Sequence, residues 1–157
     1  MSDRPWATFD GRTVTASIDV EAAPEEVFAL LSDPRRHAEI DGSGSVQGVV
    51  SGPERLTLGA TFGMSMKIGA GYRVVNTVVE YEEDRRIAWC HFAKARWRYQ
   101  LTPTAAGTTV AETFDWSGSP LPVRLFIETT GFPKGNAKAI SETLVRLRDR
   151  FASAEQG

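Results

Sequence analysis

Apolar residues in this chain repeat at two different periods, and the change comes near residue 120. Upstream, short segments alternate apolar and polar side chains, separated by turn residues. In 13–21, Val14, Ala16, Ile18 and Val20 alternate with Thr13, Thr15, Ser17 and Asp19. Period two with β-branched residues predicts a half-buried strand. Downstream, Ala137, Ile140, Leu144, Leu147 and Phe151 recur every three to four residues. That spacing predicts one long amphipathic helix, expected to begin after Pro133 and Asn136. A series of half-buried strands needs something to cover its apolar face, and only one long helix is available to do it.

The segments between fill in the order. Pro24, Glu25 and Glu26 suit the first turn of a helix whose apolar stripe is Val27, Phe28, Leu30 and Leu31, stopped by Asp33-Pro34. A second short helical turn is expected over 35–40, followed by the polar loop 41–44. Strands are predicted at 45–51, 60–68, 72–82, 86–92, 96–102 and 108–116. They are broken by Gly52-Pro53, Gly69-Ala-Gly71, Glu83-Asp84 and the turn 104–107. Short turns make successive strands antiparallel neighbours. Beyond the break at 118–122, 123–127 reads as a short helical piece. Residues 1–12 show no period and read as a loose lead-in to one domain spanning 13–153.

This is an α+β order: about seven antiparallel strands, two short helices after the first, and a long C-terminal helix. Such a sheet twists and curls around the helix, leaving space that either large side chains or a ligand must fill. Several stretches carry a resemblance. SIDVEAAPEEVFALLSDP (17–34) resembles the opening strand and helix of the START and polyketide-cyclase (SRPBCC) superfamily. RHAEIDGSG (36–44) is similar to its bacterial polyketide cyclase/dehydrase-like branch. VEYEEDRRIAW (79–89) and WRYQLTP (97–103) resemble its central hairpins, and GTTVAETFDW (107–116) its last strand. The resemblance implies the helix-grip fold. It transfers no catalytic set, because that fold hosts lipid carriers, hormone receptors, cyclases and co-chaperones alike.

The residues themselves nominate a cavity. On alternation Phe62, Met64, Met66, Ile68, Trp89, Trp97, Tyr99, Phe114 and Trp116 can face the concave side, opposite Ile140, Leu144 and Leu147. Methionine adapts to irregular shapes, and tryptophan and tyrosine add a polar tip to an apolar body. The alternative is that they simply pack a core. Glu112 shares its face with Val110, Phe114 and Trp116. If that face is buried, its carboxyl titrates high and becomes a candidate general acid or base. In the opposite register, or after a bulge, it points outward. His91 follows Ile87 and Trp89 at period two, toward the cavity or its rim, as a proton carrier or an ordinary edge residue. Asn76 and Tyr99 are further polar tips. His37, Asp41 and Ser43 are expected near the mouth, as a polar entrance or as plain loop.

Other chemistries find no support. Two histidines and one cysteine, far apart, lack zinc spacing, so no metal is expected. No P-loop, dinucleotide fingerprint or nucleophile elbow occurs, and no cofactor is expected. The net charge of −2 argues against nucleic acid as a partner. Lys138, Arg146, Arg148 and Arg150, diluted by Glu142 and Asp149, read as a solvated helix face. No apolar run is long enough for membrane insertion, and no signal peptide is evident. With one cysteine, Cys90, the expected location is the cytoplasm. The sequence leaves oligomeric state open. It leaves three functions: a binder of a small hydrophobic molecule such as a lipid or polyketide, a cyclase- or dehydrase-like enzyme using Glu112 or His91, and a protein-interaction module. With no multi-residue catalytic constellation, binding is the first expectation.

Overall fold

A computed structural model describes residues 4–42, 46–91 and 93–155. The elements run β1 (Thr8–Asp10), β2 (Thr13–Val20), α1 (Pro24–Leu31), a 3-10 turn (Pro34–Arg36), α2 (His37–Ile40) and β3 (Val46–Ser51). They continue β4 (Thr61–Ile68), β5 (Ala70–Glu82), β6 (Arg86–Cys90), β7 (Arg96–Pro103), β8 (Thr108–Asp115), α3 (Leu121–Thr129) and α4 (Phe132–Glu155). All strands join one antiparallel sheet in the order β1-β2-β8-β7-β6-β5-β4-β3. This is the expected α+β helix-grip architecture. Within the lead-in, 8–10 pair with the start of β2 and add a short edge strand, so the sheet has eight strands rather than seven.

The long crossover in this order is β2 to β8, which joins the two ends of the strand series and curls the sheet around α4. α4 packs chiefly across β2 and β8. Its Ile140, Leu144 and Leu147 have no exposure and share a core with Val14, Val20, Val27, Phe28 and Leu30. The helix begins at Phe132, several residues before the expected start, because Pro133 falls in the first turn, where a missing N–H is harmless. α1 starts as expected at Pro24, and Glu26 closes its first turn by accepting the Ala23 N–H at 3.1 Å.

One bulge decides which face of β5 carries charge. The β5–β6 register shifts between Val78 and Glu80, so Val79 is an extra residue. Strict alternation from Asn76 and Val78 would turn Glu80 inward. The bulge instead puts Tyr81 inward, edge-on to Phe28 at 5.6 Å, and leaves Glu80 outside. There Glu80 pairs with Arg98 at 2.7 Å and Arg96 at 2.9 Å, holding its carboxyl below the usual range despite partial burial. Ala88 lies between Glu80 and Arg98 in the register, small enough for that pair to form across it, and is fully buried.

The loop after α2 is clamped to α4. Gly42 donates its N–H to Thr143 Oγ1 at 2.8 Å. A Cβ at Gly42 would lie 2.5 Å from both the Thr143 nitrogen and the Glu142 Cβ. Only glycine permits this approach. Among the described residues no helix is long and apolar enough to cross a membrane.

Candidate functional site: a cavity between sheet and helix

Between the concave sheet and α4 lies a cavity of about 620 Å³, well within the size range of small-molecule sites. β4 and β5 form one wall. Their register sets Phe62 beside Asn76, Met64 beside Val74 and Met66 beside Tyr72, and all six reach the cavity. Alternation put these residues on one face, and pairing with β5 keeps that face continuous. Trp89 of β6 forms the next section. Its ring stacks on His37 at 4.8 Å and meets Phe62 edge-on at 5.5 Å. Trp97, Tyr99, Glu112 and Phe114, from β7 and β8, complete the sheet side.

Glu112 faces inward, and its register with Ala16 and Tyr99 is continuous, with no bulge in β8. Tyr99, directly opposite, donates its hydroxyl to Glu112 Oε1 at 2.8 Å. Trp97, two residues earlier on the same face, donates its indole N–H to the same oxygen at 2.7 Å. Oε2 is buried and has no hydrogen-bond partner. Burial raises the carboxyl pKa to about 8, the two donors oppose that rise, and the charge of Asp41 adds to it. At neutral pH Glu112 is therefore largely the uncharged acid. Burial, then the neighbouring Glu112 carboxyl, pushes the Tyr99 phenol well above its usual value. Sequence alternation left two registers for Glu112; the Tyr99–Glu112 cross-strand pair is what selects the inner one.

His37 departs from expectation. Rather than forming a polar entrance, its side chain is buried, between Trp89 and Phe62. Its Nε2 lies 2.8 Å from the Leu31 carbonyl oxygen, which can only accept, so the proton is on Nε2. Burial lowers its pKa, against the effect of that bond. A helix turn packed under the sheet explains the difference: an isolated polar residue in 35–40 looks exposed until β6 is placed over it. Asp41 does reach the cavity wall, while Ser43 lies outside the described residues. His91 also lines the cavity, its Nδ1 accepting the Ala93 N–H at 3.2 Å, and burial lowers its pKa. Asn76 is 7% exposed on the same wall.

Four residues expected at the cavity, Trp116, Ile140, Leu144 and Leu147, lie elsewhere. Trp116 falls just beyond β8, stacks on Phe114 at 5.4 Å and donates its N–H to Glu128 of α3 at 3.1 Å. It backs the wall without being part of it. Ile140, Leu144 and Leu147 pack into the core, and the cavity meets Asn136, Ala139 and Thr143 of α4. The most apolar stripe of a helix is drawn to the closest-packed part of the sheet, leaving a more polar stripe for the space beside it. The short helical piece expected at 123–127 is α3, but sequence reasoning did not assign it to the cavity wall. Val123, Phe126 and Ile127 line the cavity. Phe126 is 58% exposed, Phe132 45% and Tyr72 42%, so these aromatic residues of the lining also reach the surface. The apolar character of 121–127 was the available signal. No group of metal-ligating side chains forms among the described residues.

The comparisons with known proteins agree with this geometry. Residues 11–152 match the family described as polyketide cyclase / dehydrase and lipid transport. The chain is 40% identical over 145 residues to the uncharacterised protein Rv0088 of Mycobacterium tuberculosis strain H37Rv. That match covers 88% of this chain and 64% of the relative, so the chain spans less than two thirds of the relative's length. The fold is similar to a crystal structure of a Rhodobacter sphaeroides protein, with a TM-score of 0.69 at 17% identity, covering 95% of this chain and 98% of that one. It is similar too to the solution structure of the polyketide-cyclase-like protein Cgl2372 of Corynebacterium glutamicum. There the TM-score is 0.61 at 21% identity, with 94% of each chain covered. With the match running from β2 through most of α4, the chain belongs to the polyketide cyclase/dehydrase and lipid transport family, within the SRPBCC superfamily.

Proposed function

We propose that this protein binds a small, largely apolar molecule, ring-bearing or lipid-like, in the cavity between sheet and α4. The observation that carries this reading is the 620 Å³ space walled by Phe62, Trp89, Trp97, Phe114 and two methionines. Burying a ligand's apolar surface against that wall contributes about 25 cal/mol per Å² before the losses of association. The polar tips of Asn76, Tyr99, Glu112 and His91 orient the molecule. The exposed aromatic residues of the lining give it an apolar way in. Cytoplasmic location, a single binding domain and independence of nucleic acid belong to the same reading.

A second reading is a cyclase- or dehydrase-like enzyme, and the uncharged Glu112 acid on the cavity wall favours it. A carboxyl with a pKa near 8 is suited to giving and taking protons at neutral pH. An interaction module has less support, since it calls for a filled core.

Native mass spectrometry of protein purified from its own organism, with extraction of what travels with it, tests the binding reading. A stoichiometric apolar molecule supports it and names the chemical class. An apo mass, with a thermal midpoint unmoved by lipid, flavonoid and polyketide libraries, overturns it. Turnover of an extracted molecule that is lost in Glu112→Gln while binding persists establishes the enzyme reading instead.

A further inference from the structure

We propose that Glu112 sets ligand specificity: its carboxylic acid donates a hydrogen bond from Oε2 to an uncharged oxygen acceptor, a carbonyl or ether, at the inner end of the bound molecule. This rests on the reading of the cavity as a ligand site and adds the chemistry recognised at its floor.

The argument starts from the donors. An indole N–H can only donate, and Trp97 and Tyr99 both donate to Oε1. A carboxyl oxygen offers two lone pairs, and both on Oε1 are taken. Oε1 is therefore the carbonyl oxygen of the acid, and the O–H is on Oε2. That oxygen is buried and without a partner. A buried donor left unmade is costly, and a ligand acceptor recovers that cost. Glu112 borders the cavity, but Oε2 has no surface open to it, so the acceptor arrives with a ligand that shifts the side chains covering that oxygen.

The surrounding charges narrow the class further. Besides Glu112, the titratable groups on this cavity are Tyr72 of β5, Tyr99 of β7, Cys90 and His91 at the end of β6, His37 of α2, and Asp41 after it. From β2 the residue opposite Glu112 is Ala16, and α4 brings Asn136, Ala139 and Thr143. Among the described residues no lysine or arginine lines the cavity. A ligand carboxylate would enter beside Asp41 with no cation to receive it, which disfavours free acids. Asp41 can receive a cation elsewhere on the wall, but at Oε2 an ammonium would need an ionised Glu112, and burial holds that group protonated. What remains at Glu112 is a neutral acceptor oxygen.

The test compares three rigid probes of nearly one shape by calorimetry: fluorenone, fluorene and 9-aminofluorene. Near pH 6.5 the wild-type protein is expected to bind fluorenone about tenfold tighter than fluorene. Near pH 9.5, about 1.5 units above the Glu112 pKa, the carboxylate has no proton to donate and the preference should largely vanish. Glu112→Gln offers an amide donor at both pH values and should keep the ketone preference at both. Equal affinity for ketone and hydrocarbon near pH 6.5, or tightest binding of the amine, overturns the proposal. So does a pH-dependent preference that survives in Glu112→Gln, which would assign it to another group. The wild-type ratio at two pH values needs no variant, so a misfolded Glu112→Gln leaves the test intact. If none of the three binds, the cavity reading itself fails along with the proposal.

Discussion

Two stripes of α4, one residue apart in sequence, meet different surroundings. Ile140, Leu144 and Leu147 are fully buried in the core, on the helix that packs across β2 and β8. Asn136, Ala139 and Thr143 border open space under β4 to β7. The first end of the molecule is held by close packing, where every methylene is felt. The second is held by its rim: the clamp of Gly42 on Thr143, and the aromatic cluster of His37, Phe62 and Trp89. Stability and binding are thus assigned to different faces of one helix, and changes on the two faces should separate them.

The largest expected effect is at the packed end. Leu144→Ala should lower unfolding free energy by about 4 kcal/mol, read from denaturant melts, with a cavity left among side chains that cannot collapse onto it. A loss below about 1 kcal/mol would break the comparison by showing that this end is loose too.

Next comes the pH dependence of stability, which separates the floor of the cavity from the helix beneath it. Glu112 has a folded pKa near 8, above its unfolded value, so the folded state holds the extra proton between the two. Stability should fall by about 4 kcal/mol as pH rises from about 5 to about 9, then level off. His37 works the other way. Its folded pKa lies below its unfolded one, so its contribution is present above about pH 6.5 and is lost on acidification. Melts across this range should show a weakly acidic optimum. Glu112→Gln should remove the fall toward alkaline pH and move the optimum upward in pH.

At the rim, Gly42→Ala should cost about 2 kcal/mol, because the added carbon meets backbone and Cβ atoms rather than a flexible tip. It should weaken probe binding too, since Thr143 is on the cavity wall. A neutral outcome would mean that the loop after α2 is not fixed against α4. The smallest stability effect belongs to Ala139→Phe, whose ring enters open space. Unfolding free energy should move by less than about 1 kcal/mol while fluorenone binding is lost. Loss of both together would sharpen the comparison differently, by making this face part of the core.

The pattern of successes follows from what alternation encodes. β4 and β5 were legible because Phe62, Met64 and Met66 share one face of a strand whose neighbour follows through a tight turn. β5 beyond Val78 was not legible, since the bulge at Val79 reverses the face and no local residue announces it. α4 was recognised as a helix and as the cover of the sheet. Its rotation was not readable, because apolar periodicity finds the driest stripe, and that stripe belongs to the core and not to the cavity. His37 was misread for a similar reason. Its burial depends on Trp89, more than fifty positions away.

Sequence alone determined the element order, the antiparallel sheet and the helix that closes it, because turn residues and hydrophobic period are local properties of a chain. It also supplied the family and the aromatic side chains of the wall. Tertiary structure decided which way α4 is rotated, where the cavity lies, and that two donors from β7 converge on one oxygen of Glu112. Those depend on strand register and on distances between residues far apart in the chain. A proton's place on Oε1 or Oε2 turns on differences of a few tenths of an ångström, which only the folded packing fixes.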